Sequence, residues 1–501
     1  THNRSQLLGQ VLGSFDGFFS RTEDMSVLKS RYQTTDGYKF STFGTGREED
    51  FIYTIRPTNL LNYFWSQYRN NYDEQENRIL TSATLNWDLV KNLKFRGRIG
   101  NDFTTAGITN EQHNEYATRY NSTGSSSGGF ETSKGIYSIL YGDLLLTYAN
   151  KINQDFDYSV SAGFQSRQER YNDQSSSTAG GLVTENWFSL SNSYALPTTT
   201  NTRKEMIKYA YFGMANIGYK GFAYLDGTFR SEYSSTLPTQ NNNYQYGSVS
   251  GSFIFSDAFG LQSSQFNFGK LRASYGIVGN DAPIYAANIA NSQTAIASIN
   301  GAVPSLTYNQ AYGNLGLKPE TKYEWEFGLE MKFLQNRLGL DVSYYDNYIK
   351  DQILGLTTPA STGATTQIVN IGRVANNGLE VSLSGTPIQR ENFSWNARLN
   401  YSFNRSVLEK LTEGVNELTF YSADENSLRI VAKEGEKLGN IYVYDIAKDE
   451  QGNNLISDEG YYVIDKTKYK HVGNILPKAI GGLTNTFNYK NWMLDFTVDY
   501  R

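Results

Sequence analysis

Lys322-Tyr323-Glu324-Trp325-Glu326-Phe327-Gly328-Leu329-Glu330-Met331-Lys332-Phe333 decides how the rest of this chain is read. Tyr323, Trp325, Phe327, Leu329, Met331 and Phe333 share one parity, and Lys322, Glu324, Glu326, Gly328, Glu330 and Lys332 the other. Strict alternation is a strand signal, because successive side chains leave a pleated backbone on opposite faces. A helix would set Glu324, Phe327, Gly328 and Met331 on one face, which makes no amphipathic surface. After the break Leu334–Arg337 the pattern resumes, with Leu338, Leu340, Val342, Tyr344 and Tyr348 alternating with Gly339, Asp341, Ser343 and Asn347. The stretch predicts a long antiparallel hairpin with one apolar and one polar face. Soluble strands usually run about 5–6 residues, whereas about 9–11 tilted residues cross a bilayer core. Taken alone, the hairpin fits either a transmembrane barrel or one sheet of a soluble sandwich.

Composition narrows the choice. The chain of 501 residues is 39% hydrophobic, its mean hydropathy is -0.52, and no apolar run is long enough for a membrane helix. A barrel escapes that test, since only alternate residues meet lipid. The aromatic fraction of 14% suits interfacial girdles, and 9 prolines against 45 glycines suit strands and turns. With no cysteine there is no disulfide or thiolate metal site. A net charge of -5 argues against a nucleic-acid partner. Thr1 opens without a basic-then-apolar leader, and Arg501 closes inside an apparent strand, so the chain reads as an internal fragment.

Repetition then favours the membrane. Residues 1–77 read as an extracellular loop or irregular region with a short amphipathic helix at Ser5–Phe19 (Leu7, Leu8, Val11, Leu12, Phe15, Phe18, Phe19). From Arg78 alternation sets in, and residues 78–501 read as a β-barrel segment. Strands fall near Ala83–Leu89 and Leu93–Phe103, Tyr137–Ala149 and Phe156–Phe164, Tyr209–Tyr219 and Phe222–Tyr233, and Tyr246–Phe255 and Asn267–Ile277. After the opening hairpin come Asn377–Gly385 and Phe393–Phe403, then Ala479–Tyr489 and Trp492–Tyr500. That makes about fourteen strands. Short connections alternate with long ones (Thr104–Gly135, Gln165–Lys208, Val278–Thr321, Lys350–Asn376, Asn404–Lys478). An outer-membrane barrel has short periplasmic turns on one rim and long extracellular loops on the other, and a closed sheet leaves no unpaired edge in lipid.

Several blocks also resemble one family. Lys270-Leu271-Arg272-Ala273-Ser274-Tyr275-Gly276, ending Val278-Gly279-Asn280, resembles a signature of the SusC/RagA family of TonB-dependent outer-membrane transporters. Leu315–Glu320, Leu334–Asp351, Val369–Val381, Leu438–Gly460 and Pro477–Phe487 are similar to further blocks of that family, in family order; residues 1–77 match loosely. The resemblance implies a plugged 22-stranded barrel in the outer membrane of a Gram-negative cell. It implies a SusD-like surface lipoprotein as lid, TonB as energy source acting through a plug that this chain lacks, and oligosaccharide import into the periplasm. Import of peptides, as by RagA, is the alternative. Siderophore or cobalamin receptors, a passive porin, and, from another class, a secreted β-rich adhesin are the rivals.

No catalytic constellation stands out, and no enzyme activity or cofactor is expected. His2, His113 and His471 lie far apart in sequence without metal-ligand spacing. Gly124–Gly128 matches G-x-S-x-G but sits in the low-complexity run Ser122–Gly129, with no strand before it and no helix after it, as a nucleophile elbow requires. Asp449–Gly460 lacks the residue order of a calcium loop and reads as a turn-rich hairpin. Glu324, Glu326, Glu330 and Asp341 are expected to face a wet lumen, and Tyr323, Trp325, Phe327, Leu329, Leu338, Leu340 and Val342 to face lipid. Substrate candidates are Trp187, Phe188, Tyr194, Tyr285, Tyr308 and Tyr312, set among Asn, Gln, Ser and Thr. Loop-to-loop packing is the commoner fate of such rings.

Overall fold

The computed structural model describes residues 26, 68, 70–113, 128–184, 186–288, 291–298, 301–308, 311–357, 366–411, 415, 417–423 and 426–501, without the side chains of 291–298, 301–308, 311 and 357. The expected Ser5–Phe19 helix, His2 and most of the Ser122–Gly129 run lie outside these residues. Strands in chain order are β1 Asn71–Val90, β2 Leu93–Gln112, β3 Gly129–Lys151, β4 Phe156–Leu182, β5 Ser193–Tyr219, β6 Ala223–Ser234, β7 Asn243–Phe253 and β8 Phe266–Asn280. Then come β9 Asn291–Ser298, β10 Gly301–Tyr308, β11 Ala311–Tyr312, β12 Glu320–Phe333, β13 Leu338–Thr357, β14 Thr366–Arg390 and β15 Phe393–Lys410. The last are β16 Glu417–Ala423, β17 Leu428–Lys433, β18 Asn440–Ile446, β19 Ile464–Asn474, β20 Ile480–Tyr489 and β21 Trp492–Tyr500. One helical turn, Phe255–Ala258, links β7 to β8.

The fourteen expected strands form one hydrogen-bonded path, β1 through β8, then β12 to β15, β20 and β21. The ladders from β5 to β21 are antiparallel. The register carries one face unbroken from strand to strand. Leu271, Leu329, Val342, Val381 and Tyr401 lie opposite one another in a row, as do Ala273, Phe327, Tyr344, Leu379 and Phe403. This face is uncovered: Trp325 and Phe327 are 51% and 50% exposed. Ring pairs mark its two margins. Tyr275–Trp325 (4.5 Å) and Tyr323–Tyr348 (4.9 Å) stand at one, Phe266–Phe333 (5.4 Å) at the other. From Tyr323 to Phe333, at about 3.3 Å per residue and a tilt of about 40°, the margins stand roughly 25 Å apart, the height of a barrel's apolar band.

Tight turns close the ends expected to be short. Lys220 (φ 49°) and Gly221 (φ 73°), the central residues of the turn Tyr219–Phe222, both take positive φ, as the twist of flanking strands favours. In the β12–β13 turn, Leu334, Gln335 and Asn336 are all left-handed (φ 54°, 58°, 64°). The Asn336 amide donates to Asn267 Oδ1 (3.0 Å), and the Arg337 guanidinium donates to the carbonyls of Thr386 (2.8 and 3.2 Å) and Pro387 (3.0 Å).

The other connections hold more structure than their sequence announces. β4 and β5 run well into Gln165–Lys208, β13 and β14 into Lys350–Asn376, and β1 begins at Asn71. Beyond Phe164 both faces of β4 are polar, so no apolar period marks the strand. Cross-strand pairs hold it instead: Tyr137 to Glu169 (3.1 Å), Arg170 to Glu205 (3.0 Å) and Ser176 with Thr199 (3.0 Å). β9 and β10 form a separate hairpin, and β16 to β19 a separate four-stranded sheet within Asn404–Lys478. The chain divides into two compact units, residues 1–83, 98–142 and 167–206 in one and the remainder in the other.

Candidate functional site

On the polar face of the second unit, β8 sets Arg272 opposite Gly328 of β12, which lies opposite Ser343 of β13. Arg272 donates to both carboxylate oxygens of Asp341 (2.9 and 3.2 Å) and to Ser343, and lies 3.8 Å from Glu326. A β-carbon at Gly328 would collide with the Arg272 side chain, so a glycine here is what lets the guanidinium cross the strand. Asn347 donates to Glu324 (3.0 Å) and accepts from Asn376 (3.1 Å), and Lys332 pairs with Glu330 (3.1 Å). The four acidic residues expected on one face therefore share it, each with a partner. Among the described residues no group of three or more His, Cys, Asp or Glu could hold a metal ion.

Further along the same face three of the recognisable blocks converge. Asn280-Asp281 continues from β8, and the nearly buried Asp281 carboxylate (side chain 7% exposed) accepts from Lys208 (2.6 Å), Thr236 (2.8 Å) and Ser234. Burial alone would raise its pKa. The bonds from Lys208, Ser234 and Thr236 outweigh burial and hold it below the usual carboxylate value. Leu317, fully buried, packs with Leu237, Tyr244, Ala282 and Ala287, joined by Ile353 and Ile368. Asn370 of β14 clasps the neighbouring backbone, accepting from the Lys318 amide (2.8 Å) and donating to the carbonyls of Lys318 (2.8 Å) and Asp351 (2.9 Å). Asn241 donates to Leu317 O (2.9 Å), and β11 pairs in parallel with the start of β14, Tyr312 opposite Gln367. The segment between β8 and β12 is thus laid against the polar-face side chains Tyr244 and Tyr246 and against β14.

The expected binding aromatics fall into two groups. Trp187, Phe188 and Tyr194 belong to the first unit, and Tyr285, Tyr308 and Tyr312 to the second. Trp187 (57% exposed) stands on the β4–β5 tip, which the buried Asn192 closes by donating to the carbonyls of Thr184 (2.8 Å) and Trp187 (2.7 Å). Phe188 packs edge-on against His113 at 5.0 Å, the loop-packing fate weighed above, while Tyr194 is largely exposed. Tyr285 is half exposed in a left-handed turn. Tyr308 pairs through its backbone with Asn291, and its ring is outside the described side chains. Sequence reasoning passed over Asp281, Asn192 and Asn370. Asp281 and Asn370 carried a signal, since each lies in or beside a recognisable block.

In the sheet β16–β19, Glu436 accepts from Tyr442 (2.7 Å) and Asn440 (2.9 Å), and Lys433 lies 4.0 Å over the Tyr442 ring. Burial and the bond to Glu436 push the Tyr442 hydroxyl up to about 12. Asp449 closes its loop by accepting from the amides of Gln451 (3.0 Å) and Asn453 (2.8 Å), the turn expected there.

A two-faced ladder with an organised polar side fits what comparison with known proteins finds. The family model described as "TonB dependent receptor-like, beta-barrel" matches residues 18–501. The chain belongs to this family. Its fold is the antiparallel barrel of the TonB-dependent receptors, of the SusC/RagA type. TonB-dependent receptor P3 of Formosa agariphila is 26% identical over 412 residues, 77% of this chain and 39% of that protein. TonB-dependent receptor SusC of Bacteroides thetaiotaomicron is 27% identical over 322 residues, 60% of this chain and 31% of that protein. A solved structure described as the RagAB peptide transporter shares the fold with a TM-score of 0.74 at 19% identity, covering 89% of this chain and 49% of that one. The chain therefore spans less than half the length of these proteins. Barrels of this family are outer-membrane transporters rather than enzymes.

Proposed function

We propose that this chain is a large part of the barrel wall of a SusC-type active importer that brings oligosaccharides into the periplasm. The carrying observation is the two-faced ladder: one uncovered apolar face, with Tyr323, Trp325, Phe327, Leu329, Leu338, Leu340 and Val342 toward acyl chains, and one polar face bearing Glu324, Glu326, Glu330 and Asp341 toward a water-filled passage. TonB supplies energy through a plug, and a SusD-like lipoprotein covers the outer mouth. Sequence similarity to SusC over 60% of the chain supports the SusC-type reading, and oligosaccharide is the cargo that the family resemblance implies. Likeness to RagAB, at 19% identity, is likeness of fold and supports peptide import no further.

The test is uptake by a Gram-negative host that lacks its own importer and expresses the full-length protein with its adjacent lipoprotein. Labelled oligosaccharide enters and a protonophore stops it. Uptake of peptide alone, or uptake indifferent to the protonophore, refutes the reading.

A further inference from the structure

Cations gather where the uncovered apolar side of the second unit meets the long connections. In the ladder β13–β14–β15, Lys350 lies opposite Arg373 and Arg373 opposite Lys410. Closer to the apolar band, Trp325, Asp346, Asn377 and Arg405 form a row, and Lys437 bridges to Val407 of β15 between Arg405 and Lys410. All five cations are exposed. Two of them rest on rings of the apolar side. The Lys350 ammonium sits 4.9 Å over Tyr323, the Arg373 guanidinium sits 4.0 Å over Tyr348, and the two rings stack on each other at 4.9 Å. Four carboxylates stand nearby. Glu409, at the register shift beside Arg373, pairs with its Nε (2.7 Å), and Glu434 accepts from the Leu411 amide (3.4 Å). Asp346 lies on the Arg405 row, and Asp351 follows Lys350 in the chain. Among the described residues Arg405 and Lys410 have no ion pair. On the same side, Ile277, Gly279, Thr321 and Tyr323 at the outer ends of β8 and β12 carry no charge, so the cluster is confined to β13–β15 and their neighbour Lys437.

We infer that this cluster binds the phosphate of a lipid in the outer leaflet, whose acyl chains lie down the apolar side beneath it. The inference rests on the barrel part of the reading above, which sets Trp325, Phe327 and Phe403 against acyl chains and the long connections outside the cell; it does not depend on the cargo. Adjacent strands lie about 4.8 Å apart, so the heads of Lys350, Arg373 and Lys410 can close on one phosphate. The guanidinium offers a fork of donors and the ammoniums offer point charges. At a plain water margin long cationic side chains reach out into solvent. Lys350 and Arg373 lie back on rings instead, and Glu409 steadies the guanidinium, so the donors are ordered before a lipid arrives. Beside hydrocarbon such charges are less screened than in bulk water, and a phosphate headgroup is the counter-ion that the membrane itself supplies.

The experiment titrates the full-length protein in a non-ionic detergent with monophosphoryl lipid A and with the same lipid stripped of its phosphate, read by native mass spectrometry, with inorganic phosphate as competitor. The phosphorylated lipid binds about tenfold or more tighter than the stripped one, the preference shrinks at high salt, and excess inorganic phosphate does not displace it. Lys350→Gln combined with Arg373→Gln abolishes the preference. Glu409→Gln, which releases Arg373, strengthens it about threefold, the worth of an exposed ion pair. Lys448→Gln, which removes the same charge from the Asp449 loop, leaves it unchanged. Equal binding of the two lipids, displacement by inorganic phosphate, a folded double variant that keeps the preference, or a Glu409→Gln protein that does not gain overturns the inference and leaves the importer reading standing. A protein that stays soluble without detergent and takes up neither lipid overturns both.

Discussion

Replacing Gly328 by alanine tests the polar face through a coupling that sequence alone does not show. The new methyl group would occupy the space through which Arg272 reaches Asp341 and Ser343. Alanine in a strand should by itself stabilise by about 0.5–1 kcal/mol, because glycine loses more backbone freedom on folding. Against this stands the paired geometry of Arg272 on Asp341. Their side chains are 31% and 42% exposed, so solvent screening reduces two charge-assisted bonds to about 1–2 kcal/mol. The expected result is net destabilisation of roughly 0.5–1 kcal/mol in the native background. In an Arg272→Ala background the sign reverses, with a coupling of about 1–2 kcal/mol between the two sites. Urea titration of the full-length protein in lipid vesicles, followed by tryptophan fluorescence, reads all four corners of the cycle. Equal effects of Gly328→Ala in both backgrounds would refute the argument, since the methyl group would then be meeting something other than the guanidinium.

Asn370→Ala should cost about 1–3 kcal/mol locally by stranding the backbone groups of Lys318 and Asp351, seen as faster proteolysis within 282–317; unchanged cleavage rates would contradict it. The Asp281 carboxyl is held below the unfolded value of 3.8. Its contribution is therefore complete above that value and lost as pH falls through the lower folded-state value. Amide-exchange protection around 279–287 should follow this course, and Asp281→Asn should flatten it. Leu329→Arg, on the uncovered face, should reduce stability in lipid by about 2–4 kcal/mol, while Glu330→Gln next to it costs less than about 1 kcal/mol. Similar losses from the two would place lipid on the wrong face.

Legibility followed the physics of contact. Wherever one side of a ribbon meets an apolar medium and the other water, as at Tyr323–Phe333, the sequence shows it, and every strand of that kind was found. β4 beyond Phe164, β5 before Tyr209 and the sheet β16–β19 carry no such contrast. Their ladders rest on pairs such as Gln168 with Glu205 (2.6 Å) and Arg429 with Glu417, which leave no periodic trace. Candidate aromatics could be named by type, but whether a ring stays open like Tyr194 or packs away like Phe188 depends on partners that the fold brings from elsewhere. Asn370 was hidden for a different reason: an asparagine that binds backbone looks, in sequence, like any loop asparagine.

The left-handed run Leu334-Gln335-Asn336, tethered on one side to Asn267 and on the other to the backbone of Thr386 and Pro387, sets the phase of everything after it. Adding or removing a single residue there would swap inside for outside along the whole of β13, putting Asp341 and Ser343 where Leu340 and Val342 now stand. Insertions and deletions accumulated over evolution should therefore gather in the far connections, where chain length carries no phase, and spare this corner.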